Sequence, residues 1–110
     1  MNKSFLILFQ SNDNDEIQRG IDMALAICTY EPPLSLCFEE NAWVHLIKNK
    51  EIETDIQKQL KALPSWYDIP SVYAINKNNL IEEDFIFPLK LLNKIEIKNL
   101  IKNHDIVLSY

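Results

Sequence analysis

The sequence predicts an α/β domain in which a mostly parallel sheet is covered on both faces by helices. Two observations lead there. Short apolar runs of strand length alternate along the chain with segments whose apolar residues recur at helical spacing. The first run, Phe5-Leu6-Ile7-Leu8-Phe9, is unbroken, as suits a strand buried on both faces of a parallel sheet. No internal repeat, low-complexity stretch or linker divides the 110 residues, so the expectation is one domain over 1–110.

Each element has a local reason. After the first strand, Ser11-Asn12-Asp13-Asn14 is a turn, and Asp13 stands three residues before Glu16, a pattern like a capping box. Ile17, Ile21, Ala24, Leu25 and Cys28 then form the apolar stripe of a helix over 15–29. Pro32-Pro33 forbids its continuation. A second strand follows at 34–38. Asn41 is a candidate cap for a short helix carrying Trp43, Val44, Leu46 and Ile47. Residues 48–53 are polar and read as a loop. Thr54 with Gln57 resembles another capping box, opening a helix on Ile56, Leu60 and Leu63 that Pro64 is expected to end. A third strand occupies 71–75, followed by the loop Asn76-Lys77-Asn78-Asn79. A strand around 88–92 is placed toward a sheet edge, because Pro88 lacks a donor. Asn93 and Glu96 again resemble a capping box. Beyond them Ile97, Leu100 and Ile101 share one helical face, and Lys94, Lys98 and Lys102 another. A last strand lies at 106–108.

Composition removes several function classes. The net charge is -5, with a single arginine, Arg19, so direct nucleic-acid binding is not expected. No apolar run reaches the roughly 20 residues that cross a bilayer, and the start lacks the longer apolar stretch of a signal peptide. The expected setting is cytoplasmic, with no membrane partner. Gly20 is the only glycine and falls inside the first helix. Phosphate loops, dinucleotide fingerprints and nucleophile elbows need several glycines in tight turns, so none of these fits. His45 and His104 are far apart, without ligand-like partners nearby, and read as structural. No metal or cofactor is expected.

Three features remain as candidate functional residues. Cys28 lies on the apolar stripe of the first helix and Cys37 within an apolar strand, so both read as core thiols. Neither has the basic neighbours that lower a thiol pKa, which leaves them weak persulfide candidates. Their spacing is neither a redox pair nor a zinc motif. Trp43, Trp66, Tyr67, Phe85, Phe87 and Tyr110 are candidate contact residues, because aromatics are enriched at protein interfaces. Acidic residues Asp13 and Glu39 follow strands, where α/β sheets bind ligands, although acid at a helix start is also the ordinary pattern.

Several segments together resemble the TusC/DsrF family, subunits of sulfur-relay complexes built from DsrE-like domains. The stretch from Gln18-Arg19-Gly20-Ile21-Asp22 to Ala26 is similar to the family's R-E-G-L-D-x-x-L-A helix. Leu36-Cys37-Phe38 with Asn41 to Ile47 resembles its F-x-x-D-G-V-x-Q-L-L segment. Leu60 to Leu63 with Tyr67-Asp68-Ile69 is similar to L-x-x-L-Y-D-I, and His104-Asp105-Ile106-Val107-Leu108-Ser109-Tyr110 to the terminal Y-D-x-I-L-x-F. The order matches over nearly the whole length. The chain departs from the family in its first loop, which lacks Pro and Gly, and in Asn41-Ala42 where a D-G turn is usual.

The resemblance implies a three-layer α/β/α sandwich around a parallel sheet of about five strands. It implies a non-catalytic subunit in a hetero-oligomer with TusB-like and TusD-like partners, supporting persulfide transfer toward tRNA wobble-uridine 2-thiolation. In that family the sulfur-carrying cysteine belongs to the TusD-like partner, in a loop after a middle strand. The corresponding loop here, 76–79, has no cysteine. Three alternatives stay open: a DsrF-like subunit in sulfur oxidation, a persulfide carrier using Cys28 or Cys37, and a homo-oligomeric small-ligand module using Asp13 and Glu39.

Overall fold

Because the middle of β1 is apolar on both faces, it belongs inside a sheet with neighbours on each side. The computed structural model describes residues 3–30, 32–48, 52–66, 69, 71–76 and 85–110 and places it so. The elements are β1 (Phe5–Phe9), α1 (Asn14–Thr29), β2 (Leu34–Phe38), a 3-10 helix (Glu40–His45), α2 (Asp55–Trp66), β3 (Ser71–Ile75), β4 (Lys90–Leu92), α3 (Lys94–Lys102) and β5 (Ile106–Ser109). The sheet has five strands in the order β4-β3-β2-β1-β5. Every neighbouring pair is parallel, and Ile7 stands between Leu36 and Leu108. This is the three-layer α/β/α arrangement that the sequence predicts.

The alternation of side chains divides the core in two. Ile7 and Phe9 of β1, Leu36 and Phe38 of β2, and Val72 and Ala74 of β3 point to the side where α1 and α2 pack. Leu6, Leu8 and Cys37 point to the other side, where Ile97, Leu100 and Ile101 of α3 meet them. Gly20 lies where α1 crosses β1: a Cβ there would stand 2.5 Å from Phe9 Cε1 and 3.2 Å from the Tyr110 ring. Only a residue without a side chain permits that approach.

The caps follow the sequence in part. Asn93 and Glu96 form a reciprocal capping box, as do Thr54 and Gln57. Asp13 accepts from the Glu16 backbone, but Glu16 turns to Arg19 instead of closing the box. Three expectations change. Asn41 does not cap the short helix: it lies inside a 3-10 helix that starts at Glu40, after Glu39, which makes no capping bond. Pro64 does not end α2, which runs two residues further. Pro64 lacks the N–H that would bond to the Leu60 carbonyl, but so close to the helix end only one such bond is lost, and the Ser65 hydroxyl donates to the Lys61 carbonyl there. The fourth strand begins at Lys90, and it is the edge strand, as Pro88 suggested. Within the middle loop, residues 77–79 lie outside the described residues.

Candidate functional site at the carboxyl ends of the strands

A parallel sheet gathers all its strand ends along one rim, and in this chain that rim is closely tied. The Glu39 N–H donates to the Phe9 carbonyl at 2.9 Å, and Gln10 Nε2 donates to the Glu39 carboxylate at 2.6 Å. The Gln10 N–H donates to the Tyr110 carbonyl at 2.6 Å, while the Tyr110 N–H donates to Leu8 at 2.9 Å. Asp13 and Glu39, the acids considered for a ligand, are thus both used locally: Asp13 caps α1 and Glu39 takes Gln10. Among the described residues no group of three or more His, Cys, Asp and Glu side chains could hold a metal ion.

His45 closes the 3-10 helix beneath this rim and is 6% exposed. Its Nε2 has no hydrogen-bond partner. Burial pushes its pKa below the ordinary histidine value, opposed by the backbone of Ser11 and Asn12 and by the charge of Asp13. His104 has a different fate. Its Nδ1 lies 2.7 Å from the Leu100 carbonyl, which can only accept, so Nδ1 carries the proton. Nε2 is then the acceptor for the Ser35 hydroxyl at 3.0 Å.

Neither thiol is arranged as a sulfur carrier. Cys37 is fully buried, and its pKa is pushed up to about 12, by burial first and by the Glu39 charge second. Cys28 is half-buried on α1, and burial raises its thiol as well. Thiolate, the reactive form, is disfavoured at both.

Three of the aromatics considered for contact lie inside the fold. Trp43, Phe85 and Phe87 are only 4%, 2% and 8% exposed. Trp43 meets Phe85 edge-on at 5.2 Å, and Phe87 meets Phe38 at 6.2 Å. They fill this chain's own interior, between the sheet and the segment that Ile47 and Phe85 bridge. Tyr110 is partly buried against the same core. Trp66 ends α2, and Tyr67 lies outside the described residues. Among the described residues the exposed large apolar side chains are others: Met23, Tyr30, Val44, Ile52 and Ile95. A helical-wheel reading contains the signal for two of them. Met23 and Ile95 fall off the apolar stripes of their helices, and such residues face water unless a partner covers them.

No family profile matches the chain. With the rim and the core in view, the fold is similar to that of a solved structure: the chain superposes on the ychN protein from E. coli with a TM-score of 0.75, 100% of both chains covered and 16% of residues identical. By sequence it is TusC-like. It is 24% identical over 102 residues to Protein TusC of Buchnera aphidicola subsp. Baizongia pistaciae (strain Bp), covering 84% of this chain and 85% of that one.

Proposed function

We propose that the chain is a non-catalytic subunit of a cytoplasmic sulfur-relay complex. In this reading it assembles with TusB-like and TusD-like subunits and supports persulfide transfer toward tRNA wobble-uridine 2-thiolation. The similarity to Protein TusC suggests the pathway. The observation that carries the non-catalytic role is the state of the thiols. Cys37 is sealed in the sheet with its pKa near 12, and Cys28 packs on the core with its pKa raised. A sulfur carrier needs an accessible thiolate, so the relayed sulfur travels on a cysteine of another subunit.

Two measurements test this. Under native conditions iodoacetamide leaves Cys37 unmodified and labels Cys28 slowly, whereas both react fully in denaturant. Native mass spectrometry after co-expression finds the chain in a complex with the two partner subunits. Rapid native labelling of either cysteine, with transfer of sulfane sulfur by the isolated chain, would falsify the non-catalytic role. A chain that stays solitary beside competent partners removes the assembly.

A further inference from the structure

The solvent side of α3 is built against its own stability. Lys94, Lys98 and Lys102 follow one another at intervals of four residues and are all exposed. Side chains four apart on a helix are neighbours, and like charges so placed repel. Lys94 also stands in the first turn, where the helix dipole disfavours a cation. Lys102, in the last turn, is favoured by the same dipole, but among the described residues no ion pair separates the three lysines. The ion pairs among the described residues are Arg19 with Glu16 and Lys61 with Glu53, and neither reaches α3. Glu96, the acid within the helix, is spent on the Asn93 N–H in the capping box. In a chain of net charge -5 carboxylates are plentiful, yet α3 itself carries only Glu96, and Asp105 beyond its end is bonded to the Ser4 N–H and hydroxyl. Local choices that oppose stability without a compensating contact mark surfaces selected for something else. Beside the lysines stands Ile95, an apolar side chain that is 71% exposed.

We propose that the Lys94-Lys98-Lys102 stripe, with Ile95 beside it, is the docking surface for an acidic face of a sister subunit. Charge complementarity selects the partner's sign, since an acidic surface relieves a repulsion the isolated chain must carry. The neighbouring isoleucine favours a protein over a nucleic acid, because a phosphate backbone offers it no apolar recess. The proposal rests on the reading of the chain as a subunit and adds the surface that this reading lacks.

The decisive variant is Lys98→Glu. It turns two repulsive pairs into attractive ones, so thermal melting rises by a few degrees. Docking moves the opposite way. In calorimetric titrations with the purified TusB-like and TusD-like subunits, K98E binds about tenfold more weakly than the unaltered chain at low salt. Added salt weakens the unaltered chain and hardly changes K98E. Ile95→Ala also loses affinity but keeps the salt dependence. A K98E chain that assembles with unchanged affinity overturns the surface and leaves the subunit reading intact. An unaltered chain that binds neither subunit overturns both. Tighter binding to duplex RNA than to either subunit, abolished in K98E, assigns the stripe to nucleic acid and overturns the proposal.

Discussion

The two faces of the sheet are covered very unequally. On one side α1, α2 and the segment around Phe85 to Leu89 bury most of the core, including the stacked pair Phe9 and Phe38 at 4.7 Å. On the other, among the described residues, a single helix of nine residues covers Leu6, Leu8 and Cys37, with Ile97 as its one buried side chain. Two hydrogen bonds of His104, to Leu100 and to Ser35, supplement that thin apolar layer. Burial scales with the apolar area removed from water, so the first face supplies most of the stability. The second holds a lightly attached helix whose outer surface carries lysines and Ile95. The lesson is a division of labour: one side holds the fold together, and the other can be shaped by what it meets.

The largest effect follows from emptying the heavier side. Phe38→Ala removes a ring packed against both Phe9 and Phe87. It should cost about 4 kcal/mol, as large aromatic deletions in tight cores do. Ile97→Ala, its counterpart under α3, should cost about 2 kcal/mol, because half-exposed neighbours can close around the gap. Urea unfolding of both variants measures the difference. Equal losses would break the contrast between the faces.

A smaller effect tests why the heavier side is so close. At Gly20 an added methyl must displace the Phe9 ring, itself fixed by Phe38. Overpacking of this kind costs about 1–3 kcal/mol. Alanine in place of glycine returns about 1 kcal/mol through helix propensity. Gly20→Ala should therefore lower stability by up to about 2 kcal/mol, read from the same urea curves. A stabilised variant would mean that α1 can lift from the sheet without loss.

Much of this contrast was legible in the residues, and some was not. The runs 5–9 and 34–38, the stripe of α1 and the Asn93-Glu96 box are local patterns, and each element forms where its pattern lies. The order β4-β3-β2-β1-β5 is not local, since nothing in a strand's own residues names its neighbour. The aromatics misled for a related reason. Residues 85–89 have neither period, so spacing could not say whether Phe85 and Phe87 turn inward; the antiparallel bridge of Phe85 to Ile47 and the contact of Phe87 with Phe38 are tertiary. At the strand-end rim, the acids were visible but their engagement with Gln10 and the Glu16 backbone was not. His45 and His104 looked alike in sequence, and only packing separates the ring with both nitrogens bonded from the one whose Nε2 has no partner.

That separation gives the smallest predicted effect and the sharpest probe of the heavier side. His45 is held neutral by burial, with its folded pKa below the ordinary value. Above about pH 6.5, the usual histidine pKa, it is neutral in the folded and unfolded chain and stability does not depend on it. As the pH falls below that value the unfolded chain takes up the proton first, so stability declines until the folded pKa is passed. Asp13, the charge acting on the ring from the loop above, reduces this decline without cancelling it. Thermal melts between pH 7.5 and 5, roughly one unit on either side of the ordinary value, should fall less steeply in His45→Gln than in the unaltered chain. Hydrogen exchange should place the acid-induced opening at residues 10–14 and 40–46, around the ring, rather than at α3. If α3 opens first as the pH drops, then the thin side of the sheet also sets the response to acid, and the buried histidine is a bystander.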